Sequence, residues 1–151
     1  MKSIKFTSFG FSIREIDFIV DILNHKYSWG IPFLYVKEPR YTDIIIYKVR
    51  STHINDLFKD YPHLKGLSVC DTRSKPIKIY FNEENWTTIP KASGYKQLNM
   101  YRTYVVLHEF GHALGHGHEN CDVYGGPAPV MMQQTLGTGQ CFPDPWVKKH
   151  N

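Results

Sequence analysis

Apolar and polar positions change period several times along this chain, and each change predicts an element. Residues 2–9 alternate in part, with Ile4 and Phe6 apolar, and read as a strand. Ser12 and Glu15 form a capping box, and Ile13, Ile16, Ile19, Val20 and Leu23 give a helix its apolar stripe to about Tyr27. Gly30 and Pro32 break it. Residues 33–36 read as a second strand. Residues 43–49, rich in β-branched side chains, read as a third strand placed centrally in a sheet. A short helix is expected within 51–61, with Leu57 and Phe58 buried, then a short strand over 67–70 and a turn over 71–76. Ile77, Ile79 and Phe81 share one face of the next strand, over 77–81, and residues 82–86 end it. After a loop over 90–94, Asn99 reads as the cap of a longer helix that packs on the sheet through Met100, Tyr104, Val105 and Leu107.

Composition adds bounds to this pattern. The chain has 151 residues, 42% of them hydrophobic, which is enough for a proper core and points to one domain over 1–151. The net charge of +4 is spread along the chain, and the short cluster Lys148-Lys149-His150 reads as a solvated tail, so no nucleic-acid partner is expected. No stretch reaches the ~18 apolar residues of a membrane span, so no membrane insertion is expected. Arg14, Glu15 and Asp17 interrupt the only apolar region near the N-terminus, so no signal peptide is expected within these residues. A monomer is expected.

The chemistry concentrates in His108-Glu109-Phe110-Gly111-His112-Ala113-Leu114-Gly115-His116-Gly117-His118. Residues four apart share a helix face, so His108 and His112 can point their imidazoles at one ion. Glu109 is rotated by about 100° from His108, beside the metal instead of on it, where it can take a proton from water. Gly115 permits a left-handed turn that returns His118 as third ligand. His116 lies four after His112 and competes for that role, but Gly115 and Gly117 flank it and the motif spacing favours His118. Three protein ligands leave a fourth tetrahedral position open, the mark of a catalytic Zn2+ site.

This motif, with a methionine downstream, resembles the metzincin clan of zinc endopeptidases. The resemblance implies that Ala128-Pro129-Val130-Met131-Met132 is the Met-turn, with Met131 as its methionine and Met132 as the alternative. Tyr101-Arg102-x-Tyr104-Val105-Val106, Gly115-His116-Gly117-His118 and residues 127–135 are also similar to an uncharacterised family of metzincin-like domains. That family is associated with secreted or membrane-anchored actinobacterial proteins. The fold it implies is an α+β zincin: a twisted mixed sheet of four to five strands packed on a backing helix and the zinc-binding helix, followed by the Met-turn. The Cys121 and Cys141 pair fits this family as well. A bridge there would close a loop of about 20 residues, worth roughly 3 kcal/mol, and would imply an oxidising compartment. An extracellular location is therefore favoured over an intracellular one, with any leader outside the chain. Cys70 is left as a buried free thiol.

The resemblance further implies zinc-dependent hydrolysis of an extended peptide, with Glu109 as general base. Leu67, Ser68, Val69 and Cys70 would form the upper rim of the cleft, either as an open edge strand or as a plain covered edge. Substrate selection would fall to residues 134–136. Where astacins carry a tyrosine two residues after the turn methionine, this chain has Gln133, either an oxyanion donor or a structural amide satisfying loop backbone. The matrixin loop for a second zinc and calcium has no counterpart between Gly66 and Asn99. Asn85-Trp86-Thr87 is a glycosylation sequon. Two rival classes remain: a zinc-stabilised binding module without catalysis, and a zinc hydrolase of non-peptide amides.

Overall fold

The computed structural model describes residues 2–149. Strands β1 (Ile4–Phe9), β2 (Phe33–Tyr35), β3 (Ile44–Val49), β4 (Val69–Asp71) and β5 (Ile77–Asn82) form one mixed sheet in the order β2-β1-β3-β5-β4. Four strands run parallel, with β3 in the middle as its run of isoleucines requires. The edge strand β4 alone is antiparallel, with Cys70 opposite Ile79. Helices α1 (Ile13–Leu23) and α4 (Leu98–Ala113) cover one face, while α2 (Ser51–Leu57) covers part of the other. The fold is therefore α+β.

The main core lies between the sheet and the first two of these helices. Phe6, Ile44, Ile46, Ile79 and Phe81 meet Ile19, Ile22 and Leu23 of α1 and Tyr104, Val105, Leu107 and Phe110 of α4. Phe6 stands edge-on to Phe110 and Tyr35, the geometry that suits the ring quadrupole. A smaller cluster of Ile54, Phe58 and Val69 lies under α2. The capping box of α1 is fully formed, Ser12 Oγ accepting from the Glu15 amide and Glu15 accepting from the Ser12 amide. Glu15 also receives Lys48 Nζ at 2.9 Å and Trp86 Nε1 at 2.7 Å, which ties α1 to β3 and to helix α3 (Glu83–Thr87).

Several expectations need correction. The first helix ends at Leu23, and Ile13 is 79% exposed, so the stripe begins at Ile16. Asn24 causes the stop: its side chain donates to Val20 O and Phe33 O and accepts from the Phe33 amide. Leu57 is exposed, and Ile54 replaces it in the satellite cluster. The edge strand is Val69–Asp71, so Leu67 and Ser68 precede it in irregular chain. Residues 83–87 form a helical turn rather than a strand end, because the Asn82 side chain caps it through the Asn85 amide. Asn99 does not cap α4. Gln97 precedes that helix without a side-chain cap, and Asn99 O accepts from Thr103 Oγ1 inside it. Met100 is only partly buried, whereas Tyr101 and residues 103–111 are fully so. The Lys148-Lys149 pair is not a free tail. The Lys148 amide donates to Tyr27 O, and Lys149 Nζ reaches Ala128 O at 2.8 Å and Asp144 at 3.4 Å. His150 lies outside the described residues.

Candidate metal centre

Helix α4 is buried on almost every side, so its last turns carry His108 and Glu109 into the protein, both at most 5% exposed. His112 follows one turn later, partly exposed at the mouth. The helix stops at Leu114, and Gly115 adopts φ 97°, a region that other residues enter only with strain. The chain then reverses and brings His118 back. One ring nitrogen from each of His108, His112 and His118 lies within 4.8 Å of the other two, and His112 Nε2 stands 3.1 Å from His118 Nε2.

The surroundings fix which nitrogen faces inward. His108 Nδ1 meets Val130 O at 2.7 Å, and His112 Nδ1 meets His116 O at 2.9 Å. A carbonyl only accepts, so both Nδ1 atoms carry hydrogen and both Nε2 atoms keep a lone pair. This outer arrangement is typical of metal-bound imidazoles. Burial also lowers the basicity of all three rings. It pulls His108 down to about 3, against the support of Val130 O, and it lowers His112 and His118 as well. The rings are therefore neutral near pH 7, the form that ligates. Two nitrogens each 2.0–2.1 Å from a tetrahedral ion would stand about 3.3 Å apart, close to the separation of the His112 and His118 nitrogens. The donor set thus fits a divalent ion, and the three histidines can hold one.

Glu109 Oε2 lies 4.0 Å from His108 Nε2. Burial raises its carboxyl well above the ordinary range. Tyr104, one helical turn before His108, is pushed up chiefly by burial too. Its hydroxyl donates to Met132 O and accepts from the Gln134 amide.

Residues 128–132 turn tightly below α4, with the Met132 amide donating to Pro129 O. Met131 is 1% exposed and Met132 only partly buried, so Met131 is the methionine under the helix. Gly111 makes this approach possible. A Cβ there would lie 2.5 Å from Met131 Sδ and 2.6 Å from Trp29 Cζ2. Neither Trp29 nor the packing role of Gly111 was legible in the motif. A glycine inside a helix costs about 1 kcal/mol relative to alanine, and that penalty is the signal of close approach.

A cleft of about 560 Å³ opens over the histidines. Leu67, Ser68, Cys70 and Gln133 line it together with Glu109, as do Tyr104 and Thr135. Val69 also borders it, but its side chain packs with Ile54 and Phe58. Cys70 is free and partly buried, its thiol pushed up by burial with Glu109 and Asp71 adding to the effect. The structural amide of this region is Gln134, not Gln133. Gln134 is fully buried, donates to Pro129 O and Asp144 O, and accepts from Tyr95 Oη at 2.6 Å and from the Asp144 amide. Of residues 134–136, expected to select substrate, only Thr135 borders the cleft, because Gln134 faces the scaffold and Leu136 is 61% exposed. The sequon asparagine is engaged as well, Asn85 Nδ2 donating to Gly66 O.

Cys121 and Cys141 are joined in a disulfide, which anchors the chain three residues past His118. The Glu119 amide donates to Met131 O at 3.0 Å and ties the same segment to the turn. No helix among the described residues is long and apolar enough to cross a membrane. No curated protein matches the chain. A family model does, over residues 18–142, a span that takes in most of α1, the whole sheet from β2 onward, α4, the Met131 turn and both bridged cysteines. The chain therefore belongs to the family described as a protein of unknown function, DUF3152.

Proposed function

We propose that this chain is a zinc-dependent endopeptidase of the metzincin type. One observation carries the reading: three neutral imidazoles converge at the floor of a cleft with the buried Glu109 carboxyl beside them. Bound zinc would supply Lewis acidity and a water whose pKa falls to about 7. Glu109 takes the proton of the attacking water as its oxygen adds to the substrate carbonyl carbon. It then delivers that proton to the amine nitrogen as the C–N bond breaks. Burial in the cleft floor raises its carboxyl above the ordinary value, the direction that favours holding a proton.

Strand β4 is an edge of the sheet, paired with β5, and its Val69 and Cys70 border the cleft. An extended peptide can pair with that edge and lie across the histidines. Apart from Glu109 and the histidines, the lining is uncharged, with Leu64, Leu67, Ile77 and Val105 among its apolar members. The reading therefore includes a preference for uncharged side chains around the cleaved bond. The disulfide belongs to an oxidising compartment, and we place the activity outside the cytosol.

A metal-stabilised binding module accounts less well for Glu109, since a structural ion needs no buried carboxyl beside it. The test is a library of fluorogenic peptides with and without a chelator. Cleavage that the chelator abolishes and Zn2+ restores supports the proposal. A zinc-loaded protein that cleaves no peptide, or one that cleaves only non-peptide amides, contradicts it.

A further inference from the structure

We infer that Trp29 and His116 form a positioning clamp for the metal centre, in which His116 contributes its backbone and a stacked ring and gives no nitrogen to the ion. This rests on the reading of His108, His112 and His118 as ligands of one divalent ion.

The third ligand has no helix to hold it. His118 follows Gly115 and Gly117 in irregular chain and is exposed. Something else must fix the arm from Gly115 to His118, and His116 makes three contacts that do so. Its amide donates to Gly111 O at 2.9 Å. Its carbonyl accepts from His112 Nδ1 at 2.9 Å and so sets the tautomer of the second ligand. Its ring stacks on Trp29 with centroids 4.3 Å apart and planes inclined by 18°. The set of converging nitrogens comprises residues 108, 112 and 118, without His116.

Trp29 is fixed in turn. Its Nε1 donates to Leu107 O at 3.0 Å, and the indole packs where Gly111 has no side chain. The loop that carries it is held at several points. Asn24 brackets Phe33, His25 stacks on Trp146 at 4.3 Å, and the Lys148 amide donates to Tyr27 O. The indole thus transmits the position of the helix backbone to the arm. Beyond His118 the Glu119 amide and the Cys121–Cys141 bridge hold the other side. The third ligand is suspended between these two anchors, and Trp29 serves the one nearer the helix.

Zn2+ affinity of the full chain, read by competition with a chromogenic chelator, tests this, with the melting temperature of the metal-free protein recorded alongside. His116→Ala removes the ring and keeps the carbonyl. It should weaken Zn2+ binding by about 10-fold or more, within the range seen when outer partners of metal ligands are lost. The exposure of His116 predicts little change in the metal-free melting temperature. His116→Phe restores a stacking ring without a ligating nitrogen and should bind within about threefold of the wild type. Trp29→Leu should match His116→Ala, and the double variant should be no weaker than either alone, because both remove one contact.

Wild-type affinity in His116→Ala would overturn the clamp. So would a His116→Phe variant as weak as His116→Ala, since the imidazole would then be acting as a ligand. A wild-type protein that does not compete for Zn2+ at all would instead remove the three-histidine reading itself, and the clamp with it.

Discussion

The two walls of the cleft are built by different physics. The upper wall is the sheet edge. Its position follows from ladder hydrogen bonds and from the apolar contacts of Phe6, Ile46, Ile79 and Phe81. The lower wall, residues 115–149, has a single 3₁₀ turn at Gln134–Leu136 as its helical element. Val130 and Met131 join it to the main core, and the rest is held by individual polar groups: Gln134 with four side-chain hydrogen bonds, Tyr104 bridging Met132 and Gln134, Lys149 on Ala128, and one disulfide. A sheet distributes its stability over many small contacts, whereas an irregular segment concentrates it in a few bonds. The upper wall should therefore respond to lost volume and the lower wall to lost hydrogen-bond partners.

The largest effect should come from the sheet. Phe6→Ala removes a fully buried ring that meets Phe110 and Tyr35, and it should cost about 3–5 kcal/mol in urea unfolding. A cost below 1 kcal/mol would mean that the upper wall is not held by its core. Replacing Cys121 and Cys141 together by serine should cost about 3 kcal/mol, as expected for a loop of this length. Hydrogen exchange should then show the 115–142 amides opening while β3 and β5 stay protected. Equal loss of protection in both walls would erase the distinction.

Gln134→Leu comes next. It keeps the volume but strands Pro129 O, Asp144 O and the Tyr95 hydroxyl, so a cost of about 2 kcal/mol is expected, against little for Gln133→Leu at the cleft surface. Equal costs would return the structural role to both amides. The smallest effect is a pH dependence in the upper half. Burial alone would raise the Glu15 carboxyl, but the Ser12 amide, Lys48 and Trp86 outweigh it and hold the group below its ordinary 4.5. A depressed folded-state value stabilises the protein above the unfolded value. That gain fades as pH falls through the folded one. Glu15→Gln should therefore destabilise by about 1–2 kcal/mol at pH 7 and by less at pH 3. A difference that grew on acidification would reverse the assignment.

The same division explains what the sequence made legible. The strands of the upper wall were visible because β-branched runs and period-two alternation are local, as at Ile44–Val49 and at Ile77, Ile79 and Phe81. The capping box at Ser12 and the turn at Gly115 were visible for the same reason, each a short-range rule. The clustering of His108, His112 and His118 was legible because their spacing lies within eleven residues of one helix and its exit. What escaped depends on partners distant in sequence. Trp29 meets Leu107 and His116 across the fold, and nothing in its own neighbourhood marks it. The buried amide proved to be Gln134 rather than its neighbour, because irregular chain has no period from which to infer which side chain turns inward. Ile54 takes the buried place expected of Leu57 for a related reason: a helix of seven residues has too few turns to define a stripe.

The central claim is that His108, His112 and His118 hold one catalytic ion with Glu109 as the proton carrier. The most direct test is peptide cleavage by zinc-loaded Glu109→Gln, with bound metal quantified in the same sample. The account predicts one equivalent of zinc, as in the wild type, and a loss of at least about a hundredfold in turnover, since general acid–base catalysis contributes 10²–10⁴. Full metal occupancy with wild-type turnover would contradict it.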